Sequence, residues 1–241
     1  MVDIRPRNAV LAHLSPASWA LIAPELRLVE LPMTQRIYEP GEPIDTVYFP
    51  LNCLLSQVNR SAGGDGVETA MAGCDGASGV IETMGSGRSV WESMVQVDGQ
   101  ALAIPAKTVR RLIASDSGFA SACWGLAEQQ IMESQQSVAC QAHHPGEQRL
   151  ARWILEAHDR SDGRNPLPLT QEVLAIMLGV QRTTVNAFLS RLQQRGMIAS
   201  RRGKVGIVDY AALDAGACEC RGIMRLRRQL LGLGPPARNV A

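Results

Sequence analysis

The sequence predicts an α+β chain: an N-terminal antiparallel β-barrel or jelly roll, one long helix, and a C-terminal winged helix-turn-helix. Three observations carry this expectation. Between about residues 26 and 104, short apolar runs alternate with Gly- and Pro-rich turns, the rhythm of a small antiparallel sandwich or barrel. From Ser117 to Cys140 one helical pattern runs for roughly 24 residues, about 36 Å at 1.5 Å per residue. From Thr170 to Arg195 two short helical patterns flank Gly179-Val180, and a basic Gly turn follows them. The divisions expected are a sensor barrel over 1–116, a dimerisation helix and hinge over 117–144, a winged helix-turn-helix over 145–217, and a helical tail over 218–241.

At 241 residues the chain has room for two modest domains. No stretch approaches about 18 uninterrupted apolar residues, and Met1-Val2-Asp3-Ile4-Arg5-Pro6-Arg7 lacks the apolar core of a secretory signal, so no membrane partner and a cytoplasmic location are expected. The net charge of +1 hides an asymmetry. Residues 1–144 hold 9 basic against 15 acidic side chains, and residues 145–241 hold 15 against 8. An acidic front half and a basic back half suit a sensor joined to a nucleic-acid binder. Six cysteines, at 53, 74, 123, 140, 218 and 220, are scattered, and in a reducing compartment a disulfide framework is not expected.

Taken in order, residues 8 to 23 read as two short helices. Asn8 caps the first, and Ser15 caps the second with Pro16 at its first position, where a missing N–H costs nothing. From about Arg27 the period switches to two. Leu26, Leu28 and Leu31 precede Pro32, and Arg36 to Tyr38 is a strand ended by the Glu39-Pro40-Gly41-Glu42-Pro43 turn. Strands follow at Thr46 to Phe49, Leu51 to Val58, Val67 to Ala72, Ser93 to Val97 and Ala101 to Ile104, with a hairpin loop at 61–66. Ala106 to Ala114 is a short helix.

The long helix carries Phe119, Cys123, Leu126, Ile131 and Val138 as a broken apolar seam, diluted by glutamines, and this seam is the expected dimer interface. His143-His144-Pro145-Gly146 breaks the chain as a hinge. The next helix, from Pro145 or Glu147 to about Ala157, buries Leu150, Trp153 and Ile154.

The basic half carries the sharpest pattern. Thr170 caps a helix whose apolar stripe is Val173, Leu174, Met177 and Leu178, and Gly179 permits the left-handed turn that stops it. The next helix, about Arg182 to Arg195, buries Val185, Phe188, Leu189 and Leu192. It shows Arg182, Thr183, Asn186, Ser190 and Gln193 on the other face, groups that bond phosphates and base edges. Residues 199–208 read as two strands around a turn that presents Arg201, Arg202 and Lys204. This is a helix-turn-helix with its second helix offered to the major groove of double-stranded DNA and a cationic wing beside it.

A turn at Glu39-Pro40-Gly41-Glu42 in a small barrel, a long helix, a hinge and a winged helix-turn-helix together resemble the Crp/Fnr family of bacterial transcription regulators, over about residues 20 to 215. The resemblance implies a cyclic-nucleotide-binding-like barrel, a homodimer paired through the Ser117–Cys140 helix, and contact with or blockage of RNA polymerase. It places base-reading side chains at Arg182, Thr183 and Ala187 and a phosphate-contacting hydroxyl at Thr184. Arg182 keeps a guanine-type reader. Thr183 and Ala187 replace an acid and an arginine of the cAMP-responsive members, so the operator should differ from theirs. The full DNA-contacting set expected is Thr170, Gln171, Gln181, Arg182, Thr183, Thr184, Asn186, Ala187, Ser190, Arg191, Arg201, Arg202 and Lys204.

The effector cassette departs from the family pattern. Gly79 is followed by Val80 rather than by an acid, and Glu82 lies three residues on. Gly85-Ser86-Gly87-Arg88-Ser89 resembles the phosphate-facing part. Gly79, Ser86, Gly87, Arg88 and Ser89 are therefore the candidate effector residues, the effector is left open, and a cyclic nucleotide is disfavoured.

No cofactor and no metal are expected. Cys218 and Cys220 lack a second close cysteine pair, residues 1 to 40 lack the cysteine cluster of the family's iron–sulfur members, and His143-His144 reads as a surface hinge pair. Cys53 and Cys74 read as small buried residues. No Gly-x-Ser-x-Gly, Walker-type loop or paired His or acid motif with ligand spacing occurs, so the chain is not read as an enzyme. The rival reading is a winged-helix protein-interaction or redox-sensing module without an operator of its own.

Overall fold

The computed structural model describes residues 7–61, 63 and 66–231. Parts of the expected 61–66 loop, most of the N-terminal stretch read for a signal, and the tail beyond 231 lie outside the described residues.

The chain opens with helices α1 (Ala9–Ala12) and α2 (Pro16–Ile22). Asn8 and Ser15 accept from the Leu11 and Ser18 amides, the caps their residue types call for. Seven strands follow: β1 (Arg27–Leu31), β2 (Arg36–Tyr38), β3 (Thr46–Pro50), β4 (Leu54–Arg60), β5 (Gly66–Ala72), β6 (Glu92–Val97) and β7 (Gly99–Pro105), with helix α3 (Val80–Met84) between β5 and β6. They form two antiparallel sheets, β1-β7-β3 and β2-β6-β4-β5. The barrel-or-jelly-roll expectation thus resolves to two sheets and not to a closed barrel. Leu31, Cys53, Leu55, Val95 and Ala101 form a buried cluster contributed by both sheets. A larger core joins Val47, Phe49 and Ile104 of the strands to Val10, Leu11 and Ile22 of the first helices.

Helix α4 (Ala106–Ser115) leads into α5 (Ser117–His143), capped by Asp116, whose carboxylate accepts from the Phe119 amide. Phe119, Cys123 and Leu126 of α5 enter the N-terminal core. They are covered by their own chain, which corrects their assignment to a dimer seam. The large apolar residues that α5 leaves bare are Trp124, Ile131 and Val138, at 65, 58 and 71 % exposure. Their spacing of seven residues is that of a coiled-coil position.

After His144-Pro145 come α6 (Gly146–Arg160), α7 (Gln171–Leu178), α8 (Arg182–Gln194), strands β8 (Ile198–Arg201) and β9 (Lys204–Ile207), and helices α9 (Tyr210–Gly216) and α10 (Cys220–Leu230). Their core, built on Leu150, Ile154, Leu174, Val185, Leu189 and Leu192, also takes in Leu54, Val58 and Val97 of the sheets. The two halves therefore share apolar packing and are not beads on a string.

Candidate nucleic-acid interface

Helices α7 and α8 meet at 104°, within the range of a helix-turn-helix. Local chemistry sets that bend. The Thr170 hydroxyl accepts from the Val173 amide at 3.1 Å. Gly179 adopts φ +63°, where a residue with a Cβ would be strained, and its N–H caps the Ala175 and Ile176 carbonyls. Although the α7–α8 pair is apolar enough to match a broken membrane span, its apolar residues are spent on the core. Among the described residues no single helix is long and apolar enough to cross a membrane.

The face of α8 opposite the core forms one wall of an open groove. The start of α7 and the wing form the others. Thr170, Gln171, Arg182, Asn186, Ser190, Arg201 and Arg202 line it, together with Gln193 and Ser200. Gln171 ties the two helices together: its amide donates to Asn186 Oδ1 at 3.0 Å, and its Oε1 accepts from Arg182 Nε at 3.3 Å. These bonds hold Arg182 and Asn186 in register at the groove's entrance. β8 and β9 pair around Arg202-Gly203, both at positive φ, a two-residue hairpin turn that projects Arg201, Arg202 and Lys204 into solvent. Gln193 Oε1 accepts from the Ser200 amide and fixes the wing to the helix.

Not every expected contact shares that groove. Gln181, Thr183 and Ala187 are exposed along α8, and Thr184 is half-buried. Gln181 and Arg182 also border a second cleft, between the helix-turn-helix and Asn59, Arg60 and Val67 of the β4–β5 hairpin. Arg191 is turned elsewhere. Its Nε donates to Glu147 of α6 at 2.5 Å, and its guanidinium lies 5.2 Å from the Phe188 ring centre. This pairing engages Arg191, placed by the sequence among the DNA contacts, in an exposed ion pair outside the groove. It takes part in an α6–α8 clasp, with Arg195 on the other oxygen of the same carboxylate.

The effector candidates do not converge on a common cavity. Gly79, at φ +89°, packs so tightly under Tyr38 that an added Cβ would sit 2.4 Å from its hydroxyl. Ser89 is buried and donates to the Trp91 carbonyl, while Gly87 packs against Arg110. Ser86 and Arg88 are exposed, and Arg88 Nη1 donates to the Gly41 carbonyl at 2.8 Å. Helix α3 turns Glu82 inward to accept from Gln57 Nε2 at 3.3 Å, and burial raises its carboxyl above the ordinary range. A small cavity between β4–β5 and α5, lined by Gln57, Gln129, Gln130 and Glu133 beside Leu55, Met71 and Leu126, was not visible in the cassette motif.

Beneath the reader, buried charge knits the molecule together. Arg160 of α6 pairs with Asp75, Glu133 and Glu156, and Arg228 of α10 pairs with Asp75 and Glu133. Glu68 of β5 accepts from Ser56 and from Trp153 Nε1 at 2.7 Å, and burial pushes its carboxyl up to about 7. Sequence spacing gave no sign of this network, whose members lie up to 153 residues apart.

Residues 148–215 match the family model of the Crp-like helix-turn-helix domain. No curated protein sequence matches the chain. Solved structures do. A transcriptional regulator of the Crp/Fnr family from Eubacterium rectale is 19% identical, with a TM-score of 0.66 over 85% of this chain and 95% of its own. TTHA1359, a Crp/Fnr-family transcriptional regulator from Thermus thermophilus, is 21% identical, with a TM-score of 0.64 over 79% and 98%. CLP of Xanthomonas campestris, described as a c-di-GMP-responsive global regulator, is 14% identical, with a TM-score of 0.64 over 81% and 100%. At these identities the likeness establishes the fold alone. The chain thus carries a Crp-like helix-turn-helix domain at residues 148–215, set on the fold seen in solved Crp/Fnr transcription regulators.

Proposed function

We propose that this chain is a homodimeric transcription regulator that reads a near-palindromic operator through α8 and holds the flanking phosphates with its wing. The observation that carries the reading is the groove itself. Arg182, Asn186, Ser190 and Gln193 face Arg201 and Arg202 across an open surface with base- and phosphate-bonding groups on both walls. A protein-docking face would instead present aromatic or Met anchors. Arg182 reads a guanine-type edge, and Arg201, Arg202 and Lys204 supply backbone charge.

The dimer forms through the exposed heptad stripe of Trp124, Ile131 and Val138. Pairing there sets two α8 helices to read half-sites about 34 Å apart. The chain works on the chromosome, by contacting RNA polymerase or by blocking it. Its N-terminal sheets receive the signal. The contacts of Gly79 with Tyr38 and of Arg88 with Gly41 support an effector other than a cyclic nucleotide.

The test is selection of duplexes from a random pool by the purified full-length chain. The reading predicts recovery of a two-fold-symmetric motif. Failure to enrich any motif, with and without cell extract to supply the signal, would favour the protein-interaction module.

A further inference from the structure

Four side chains that the DNA reader does not use meet where α5 gives way to α6. Cys140 comes from the last turn of α5, His144 from the break itself, and Cys218 and Cys220 from the start of the segment that follows α9. Their ligand atoms all lie within 4.8 Å of one another. Cys140 Sγ is 3.5 Å from Cys218 Sγ, and Cys220 Sγ is 3.5 Å from His144 Nδ1. A tetrahedral centre with metal–sulfur bonds of about 2.3 Å sets its ligand atoms about 3.8 Å apart. Closing the four around one ion thus takes movements of about 1 Å or less. The three cysteines are 1, 3 and 1 % exposed and form a cluster apart from the main cores.

Two further observations point to an ion at this place. His144 Nε2 lies 3.1 Å from Glu219 Oε1, a contact that favours the neutral tautomer with its proton on Nε2 and its Nδ1 lone pair toward the thiols. This is the carboxylate–histidine relay that orients metal-bound imidazoles. Donor groups also lie beside the sulfurs. Gln136 Nε2 donates to Cys220 Sγ at 3.1 Å. Arg149 and Arg152 line the cavity beside Cys140, and the buried Nε of each has no hydrogen-bond partner among the described residues.

We propose that Cys140, His144, Cys218 and Cys220 bind one thiophilic divalent metal ion of the zinc class in a closed, four-coordinate structural site. Binding releases the three thiol protons to solvent. It leaves three thiolates and a neutral imidazole around a doubly charged ion, a net charge of −1 faced by the two arginines. With four protein ligands no position is open for water, so the ion braces and does not catalyse. It pins the segment after the wing to the end of the long helix, across the break from which α6 and the reader depart.

The test uses the full-length chain, purified without chelator, and needs no DNA, so its failure is separable from failure of the operator reading. Metal analysis should find one zinc per chain. Replacement by Co2+ should give tetrahedral ligand-field bands and sulfur-to-cobalt charge transfer with the intensity of three thiolates. Cys220→Ser should reduce that intensity to two thiolates, and Cys53→Ser, outside the site, should leave it at three. Glu219→Gln should keep the spectrum and weaken metal affinity about 10–100-fold. The proposal is overturned if folded wild-type protein holds no stoichiometric metal and gives no tetrahedral cobalt spectrum. An octahedral spectrum, or a Cys140–Cys218 disulfide as the resting state, would overturn it equally. The wild-type spectrum decides the question even if a variant does not fold.

Discussion

The reading face of α8 and the α5–α6 break are built in opposite ways. On α8 the functional side chains sit within about a dozen consecutive residues, and helical periodicity alone separates Arg182, Asn186 and Ser190 from buried Val185, Leu189 and Leu192. In the buried charge network and at the break, most partners are distant in sequence. Arg160 collects carboxylates from Asp75, Glu133 and Glu156, and Cys140 meets Cys218 and Cys220. The first region is an exposed surface, where a substitution changes what is read and hardly touches folding. The second is buried and shared among elements, so a substitution there is felt by the whole molecule.

The largest effect expected is on the buried side of this contrast. Arg160→Ala leaves Asp75 and Glu133 with one arginine fewer in a dry setting. It should cost about 3–5 kcal/mol in urea-induced unfolding. A loss as small as that of a surface pair would break the contrast. Glu68 comes next. Burial raises its folded carboxyl to about 7, so the folded state holds a proton that the unfolded state has already lost. Stability from this group is complete at acid pH and falls as pH rises from the ordinary carboxylate range to about 7, by on the order of 2–3 kcal/mol. Glu68→Gln should flatten that slope in unfolding curves measured across the window.

On the reading side, Arg182→Ala should cost about 1–3 kcal/mol at a single base position and relax specificity there, seen by repeating the duplex selection with the variant. Uniform weakening across sequences would demote Arg182 to a phosphate contact. Arg201→Ala should weaken all duplexes alike and lower the salt slope by about 1. Arg191→Ala should do least. Its exposed pair with Glu147 is worth about 0–1 kcal/mol, and the duplex selection should return the same motif.

What could be read from the sequence follows the same division. The Thr170 cap, the Gly179 turn, the Arg182 face and the Arg202-Gly203 hairpin all lie within a few residues of the signals that specify them. The expected dimer seam mixed two apolar stripes of α5. Phe119, Cys123 and Leu126 belong to the one its own chain covers, and Trp124, Ile131 and Val138 to the bare one. Spacing alone cannot assign a stripe to the sheets or to a second copy. The effector cassette misled for a related reason: Gly79 and Gly87 match a loop motif, yet tertiary packing by Tyr38 and Arg110 fills the space beside them. The cysteines read as scattered because Cys140 and Cys218 are 78 residues apart. The one local hint was a cysteine four residues before a histidine at a helix end, paired with Cys218-Glu219-Cys220 far downstream.

The most direct test of the central claim is the ratio of affinities for the selected operator and for a scrambled duplex, followed over a salt titration. The account predicts that the wild-type chain prefers the operator by at least about 1,000-fold. Both affinities should fall steeply with salt, because cations on the wing and α8 displace counterions. A ratio near one, or binding indifferent to salt, would contradict the assignment of α8 and its wing as a sequence reader.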